Sequence, residues 1–535
     1  MTLSNMNDNK KGLFQMDDGR NLIVTFMLVS SLFLLWGICN GMIDTMDKHF
    51  QEELGLSKSQ SAWVQFAHYL GYFLMSMPAG LLASRYGYKW GIIAGLLMVA
   101  AGGFWFLPAT HINALAHAGS VSPTTAFAGY LAGVCAIAAG LTFLETVANP
   151  YTTVLGPKQY AATRINLAQS CNGIGWMCGP IIGGKFFYSK DAAGRSTGSE
   201  TLYIPYVIVA VVVLALAVVF YFAYVPDIKT EDEYHLDEKD TAVEAKTAER
   251  EVKRVLVYFL LLLNSAVLVG VFAMILSLIL SAMNYNQNVV WMASGVLLFI
   301  AAAVLIPVAR KISHHSVWTH PHFSCATLAQ FFYVAAQAGI FSFFINYMTS
   351  ELPAIPTSVT SDLLKSWFEP SANGVVSLSD KGAANLASLG FLCFLTGRFI
   401  GSGLLKKFSA HKILELYGII NVIMCFLVFL KLGWFSVVCV FLSYFFMSIM
   451  FPTIFALGIF GLGARAKKAS AFIVMAIMGG AILPKLMGYV ADQTNMSRGF
   501  IVPLFCFVFI ALYGYCWPKL SGAEGLHEVK ATGGR

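Results

Sequence analysis

Few residue types in this sequence could do chemistry, and Glu145 is the one whose surroundings are least expected for its type. It sits in an otherwise uncharged run from Thr125 to Tyr151 and is followed by Asn149-Pro150. Crossing a bilayer takes about 20 residues, so the run is long enough to do so. An ionisable group in mid-membrane costs at least ~2.5 to 3.5 kcal/mol, and such groups face a polar cavity or a partner. An acid placed there can take up and release a proton and can hydrogen-bond a polar solute. Trp36, Asn40 and Asp44 recur at helical spacing on one face, as do Glu145 and Asn149. Asn166, Gln169 and Asn172 form a second kind of stripe, and Gln330, Tyr333 and Gln337 a third. Interhelical hydrogen bonding, worth ~0.6 kcal/mol per contact, is the plain alternative for any single Asn or Gln. Stripes recurring on several helices favour a shared polar cavity. Asp44 lies close to Asp47, Lys48, Glu52 and Glu53 and reads equally well as an interfacial residue. Lys485 follows Gly479-Gly480 and Pro484. It reads either as a side chain snorkelling to an interface or as a cavity cation paired with Glu145 or Asp44.

Helices must position these groups. The 535 residues are 57% hydrophobic, 14% aromatic and 12% charged, and apolar runs recur along nearly the whole length. That excludes a soluble globular class and points to an all-α integral membrane protein. The net charge of +7 does not indicate nucleic acid. Basic residues such as Lys10, Arg85, Lys158, Arg310, Lys406 and Arg465 fall in the termini or in alternate loops. By the positive-inside rule those loops and both termini are cytoplasmic; the expected location is a bacterial inner membrane. Met1 to Arg20 lacks the layout of a cleaved signal. The ten cysteines show no metal-ligand spacing, and no loop resembles a catalytic triad or phosphate loop, so neither a metal, a cofactor nor an enzyme is expected.

The expected organisation is a cytoplasmic N-terminus (1–21), a six-helix bundle (22–224), a charged linker (225–254), two additional spans (255–309), a second six-helix bundle (310–518) and a tail (519–535). That makes about fourteen spans at ~20 residues each. An internal repeat relates the bundles: the segment Pro150 to Gly156 has the frame of Pro452 to Gly458. Its register sets Met447 opposite Glu145 and places Lys485 near the counterpart of Gly183. A carrier built from two such halves binds its cargo near the midplane, between them.

The short loop containing Gly80, Arg85, Gly87 and Lys89 resembles the signature loop of the major facilitator superfamily, with Gly397-Arg398, Gly401 and Lys406-Lys407 as its echo in the second half. Ser84 stands where that loop usually has an acid. More specific stretches are similar to the fucose:proton symporter family. They include Leu32 to Trp36 with Asn40 and Asp44, Gln65 with Tyr69, Leu144-Glu145-Thr146, Ala148-Asn149-Pro150, Arg164 to Gln169, Gln330 to Gln337, and Ser470 to Met475. The resemblance implies a sugar:cation symporter fold with two six-helix bundles, in which Asp44 and Glu145 carry proton coupling and sugar contact. Together with the polar stripes it puts the sugar among Trp36, Asn40, Gln65, Tyr69, Asn149, Asn166, Gln169, Asn172, Gln330, Tyr333, Gln337 and Phe341, and Lys485 joins them in its reading as a cavity cation. The implied partners are a hexose or deoxyhexose (L-fucose-like, or glucose/galactose), H+ with Na+ as the alternative, and membrane lipid, with the chain acting as a monomer. Gly41 replaces an Asn beside the first-helix acid, and Lys485 lies where an uncharged residue is usual.

Two rivals stand beside that reading. The glycines of Gly175 to Gly184 match a pattern associated with drug:proton antiporters, although small residues also permit close helix packing. A sugar sensor that signals through the charged linker is the other rival.

Overall fold

A computed structural model describes residues 12–16, 19–53, 63–187, 198–228, 247–282, 286–310, 316–353, 355–356, 367–370, 375–378 and 380–522; within them the side chains of Asp44 and Lys485 are among those outside the described set. The first half contains α1 (Ile23–Glu53), α2 (Trp63–Tyr86), α3 (Tyr88–His117), α4 (Pro123–Val154), α5 (Ala161–Phe187) and α6 (Tyr203–Phe222). After it come α7 (Thr247–Ala282) and α8 (Gln287–Arg310). The second half holds α9 (Pro321–Ser342), α10 (Asp380–Leu404), α11 (Ala410–Phe429), α12 (Trp434–Met447), α13 (Met450–Ile459), α14 (Ala466–Met475), α15 (Gly479–Gln493) and α16 (Ile501–Leu520). Eleven helical segments among the described residues are long and apolar enough to cross a membrane. Neither α2 nor α5 is one of them. Gln65, His68 and Ser76 on α2, and Asn166, Gln169 and Asn172 on α5, lower their hydropathy, and all but the half-buried Gln65 are buried against other helices.

The all-helical expectation holds with one exception. The connection between α9 and α10 carries a small antiparallel sheet of β1 (Ile355–Pro356), β2 (Phe368–Pro370) and β3 (Val375–Leu378), ordered β1-β3-β2.

Prolines shape the helices beside the centre. Pro150 has no N–H to give the Thr146 carbonyl one turn back. Ser470 Oγ of α14 donates to that oxygen instead, at 2.9 Å. Pro452 likewise frees the Ser448 carbonyl, which accepts from Arg398 Nε at 2.9 Å. The repeat seen in the sequence thus recurs as two vacated carbonyls, each filled by a side chain. At the second of these the helix breaks between α12 and α13, inside a single apolar span, Trp434–Ile459. Another break, a 3-10 turn at Ala476–Met478, separates α14 from α15. Irregular backbone at membrane depth is tolerated where it is buried in protein or lines a cavity, and residues from both regions, Phe451 and Ile477, line one.

Close packing uses the glycines. A Cβ on Gly175 would overlap the Leu34 carbonyl of α1, and one on Gly179 would meet the backbone of Gly41. This antiporter-like stretch therefore brings α1 and α5 backbone to backbone, the packing role that small residues fill in membranes.

The two helices between the halves are not confined to the rim. Asn264 of α7 donates to the Ser324 carbonyl of α9 at 3.0 Å and accepts from Thr327 Oγ1 at 2.5 Å. A few turns on, Phe272 meets Phe73 of α2 edge to face at 5.1 Å, and Val271 packs with Phe73 and Met478. One helix thereby touches both halves, while α8 leans on α7 and leaves Trp291 and Phe299 mostly exposed.

Candidate functional site

A cavity of about 70 Å³ lies where the halves meet, well above the ~10 to 15 Å³ that one water requires. Its first-half wall is Trp36, Asn40 and Ile43 of α1, then Gln65, His68, Tyr69 and Tyr72 of α2, Glu145 of α4, and Asn172 and Trp176 of α5. The second half supplies Val334 and Gln337 of α9, Arg398 of α10, Phe451 of α13 and Ile477. Seven expected site residues therefore share one space: Trp36, Asn40, Gln65, Tyr69, Glu145, Asn172 and Gln337.

Glu145 is 1% exposed, and neither carboxyl oxygen has a hydrogen bond at normal geometry. Tyr72, Asn149 and Arg398 are its polar neighbours. The Tyr72 hydroxyl is held from the other side, accepting from Trp36 Nε1 at 2.5 Å. Around the same space, Asn40 Oδ1, His68 Nδ1 and Asn172 Nδ2 are buried without partners. Gln330, two turns below Gln337 on the same face of α9, is fully buried with both amide atoms unpartnered. Buried polar atoms are nearly always hydrogen-bonded in folded proteins. Such a concentration around one cavity is what a ligand rich in hydroxyl groups, or water standing in for it, would satisfy.

Other expected site residues belong to the scaffold. Asn149 Oδ1 accepts from Gln169 Nε2 at 3.0 Å, so these two brace α4 against α5. Asn166 donates to Thr453 Oγ1 across the halves at 3.2 Å. Tyr333 gives its hydroxyl proton to the Met447 carbonyl at 3.0 Å. Phe341, itself outside the wall, stacks on Tyr444 at 4.7 Å and packs with Phe391 behind the cavity-lining Trp176. Asp44 falls on α1 one turn beyond Asn40, well before the helix ends at Glu53, and its side chain, like that of Lys485, is outside the described residues.

Arg398 corrects the grouping by motif. The sequence assigns it to the echo of the signature loop; in the fold it is 3% exposed and lines the cavity. His68, Tyr72 and Trp176 line the cavity without being among the residues expected there. The sequence carries a signal for the first two, since Gln65, His68, Tyr69 and Tyr72 follow the same three-and-four spacing as the polar stripes.

The remaining loop residues gather at one end of the molecule. A Cβ on Gly80 would overlap Ala471 of α14, which lets α2 approach closely, and Gly87 adopts φ 87°, a region open to glycine. Lys89 donates to the Ala223 carbonyl at 3.1 Å, while Arg85 is exposed. Ser84, in the place of the usual acid, turns its hydroxyl back to the Gly80 carbonyl at 2.7 Å. The acid comes from elsewhere: Asp227, beyond α6, pairs with Lys467 of α14 at 2.6 Å, and Lys467 also lies over the Tyr88 ring at 4.2 Å. Asp227 is about half exposed, which limits such a pair to about 0.2 to 1 kcal/mol. Asp227→Asn should accordingly shift any equilibrium that separates these two helix ends by less than about fivefold. Electron-spin distance measurements between labels on the exposed Tyr86 and Lys468 would read that shift; a wholly open population would show the pair to be far stronger.

Residues 22–350 match the family model described as Major Facilitator Superfamily. The chain is 29% identical over 511 residues to the L-fucose-proton symporter of Escherichia coli, covering 92% of this chain and 93% of that protein. It is 26% identical over 489 residues to a glucose/galactose transporter of Brucella abortus, covering 91% and 92% respectively. The crystal structure of the major facilitator superfamily transporter FucP in the outward conformation matches with a TM-score of 0.64 and 28% identity, over 93% of this chain and 99% of that one. With two helical bundles facing each other across a buried polar cavity and the family model spanning well over half the sequence, this chain belongs to the major facilitator superfamily.

Proposed function

We propose that this protein is a secondary active sugar:proton symporter that imports a hexose or deoxyhexose by alternating access. The observation that carries the proposal is the ring of buried, unpartnered polar atoms at Asn40, His68, Asn172 and Glu145 around one cavity between the halves. A sugar offers hydroxyls to those groups and an apolar ring face to Trp36 or Trp176. The names of the relatives, a fucose-proton symporter and a glucose/galactose transporter, support the same cargo class. Glu145 is the proton carrier in this reading. Protonated, it lets the halves close over an uncharged acid, which matters because an ion left unpaired in a low-dielectric site costs several kcal/mol. Asp44 is proposed as a second coupling acid. The loop of Gly80, Arg85, Gly87 and Lys89 then gates the cytoplasmic end, with both termini on that side of a bacterial inner membrane.

Fourteen spans are proposed, the eleven apolar ones plus α2, α5 and α8, with the domain boundaries expected from the sequence and a functional monomer. The α1–α5 contact accounts for the antiporter-like glycines, which leaves the exporter reading without a cavity feature of its own.

Radiolabelled L-fucose, D-glucose and D-galactose offered to proteoliposomes, under a pH gradient and a Na+ gradient imposed separately, test the proposal. Accumulation of one sugar with the pH gradient is expected. Accumulation with Na+ alone would replace the coupling ion. Absence of uptake under both would overturn the symport reading, and binding without flux would favour a sensor.

A further inference from the structure

Glu145 and Arg398 bring opposite formal charges to one cavity from opposite halves of the molecule. Neither has an ion partner within salt-bridge distance among the described residues, where the pairs are Lys431 with Glu351 and Lys467 with Asp227. The arginine is held firmly. Its Nε donates to the Ser448 carbonyl that Pro452 leaves vacant, and the Phe394 ring lies 4.6 Å from its guanidinium carbon. Nη1 crosses to α5, donating to the Gln169 carbonyl, to Gln169 Oε1 at 3.2 Å and to Asn172 Oδ1 at 3.3 Å. No described residue accepts from Nη2. Every acceptor is neutral, whereas a guanidinium keeps its charge in proteins. A buried cation set among dipoles alone, beside a buried acid with both oxygens unpartnered, is an incomplete arrangement.

We propose that Arg398 is the counter-ion of Glu145 across the two halves. When the acid releases its proton to water on the inner side, the carboxylate is neutralised by the guanidinium and the sugar-free site resets without net charge. When the acid is protonated the pairing loosens, and both groups are free to donate to the cargo. The geometry assigns to Arg398 the pairing role that the sequence offered to Lys485. The other titratable groups about the pair are His68, Tyr69 and Tyr72 from α2 and Tyr333 from α9; Asp44 is the further acid on α1.

The proposal rests on the symport reading, but its test needs no sugar. Thermal unfolding of the detergent-solubilised full chain is followed from pH 5 to pH 9 for the wild type, Arg398→Gln, Glu145→Gln and the double variant. Removing the counter-ion leaves an ionised carboxylate uncompensated, so the loss of melting temperature in Arg398→Gln should grow with pH and be at least about twice as large at the alkaline end. Adding Glu145→Gln should recover most of the loss and remove its pH dependence. An equal loss at every pH that Glu145→Gln does not recover would make Arg398 a purely structural residue and overturn the proposal, as would no loss at all. If Arg398→Gln cannot be purified, the double variant decides: a folded double variant supports the pairing, and failure of both overturns it. A wild type that accumulates no sugar would instead defeat the symport reading, and the melting series would still decide the pair.

Discussion

Glu145→Gln is expected to abolish sugar accumulation driven by a pH gradient, bringing internal and external sugar to equality, while exchange of labelled for unlabelled sugar persists. Glutamine keeps the size and hydrogen-bonding capacity of the protonated acid and cannot ionise, so it holds position 145 in its loaded, uncharged form. Loaded carriers can still rock between the two sides. What is lost is the link between proton binding and the direction of net flux, because coupling exists only where a ligand interacts differently with the two states. Exchange in the variant should also lose its dependence on pH. The measurement is paired uptake and counterflow in proteoliposomes; accumulation that survives the substitution would remove Glu145 from the proton path.

Arg164→Met should produce the largest loss of stability of any substitution considered. This side chain is fully buried and donates to five main-chain carbonyls: Thr152 at 3.1 Å, Leu13 at 3.2 Å, Pro157 at 2.8 Å, Gly156 at 3.1 Å, and Thr153. It ties the end of α4, the turn into α5 and the N-terminal segment into one unit. Each carbonyl stranded without a donor costs about 1 to 3 kcal/mol, so a combined loss above about 3 kcal/mol is expected even if some find other partners. Arg164→Lys should fall well short of rescue, since a compact ammonium cannot reproduce the fork of donors. Melting curves in detergent decide it; a melting temperature unchanged in the methionine variant would show the carbonyls satisfied without the arginine.

Both predictions begin from residues visible in the sequence, but they became visible in different ways. Glu145 stood out because a lone acid in an apolar run is expensive wherever the chain folds, and that cost depends on composition alone. Arg164 enters the sequence only as the start of the family-like stretch Arg164 to Gln169, one more basic residue beside a short loop. Nothing in its neighbours distinguishes an arginine that faces headgroups from one that turns inward onto carbonyls. The polar stripes show the same division. Helical spacing puts Trp36 with Asn40, Glu145 with Asn149, and Asn166 with Asn172 on shared faces. It could not say that Asn172 lines the cavity while Asn166, two turns earlier, reaches Thr453 in the other half.

The sequence by itself determined the apolar helices, the two related halves, the family resemblance and the central acid, because hydropathy, periodicity and the cost of a membrane carboxylate are local properties. Tertiary structure decided which polar groups are spent on one another and which are left facing the cavity. It placed Arg398 beside Glu145, supplied Asp227 where Ser84 lacks a charge, and set α7 against both halves. Those outcomes depend on how separate helices approach and on which carbonyls Pro150 and Pro452 vacate for distant donors, and no stretch of neighbouring residues encodes them.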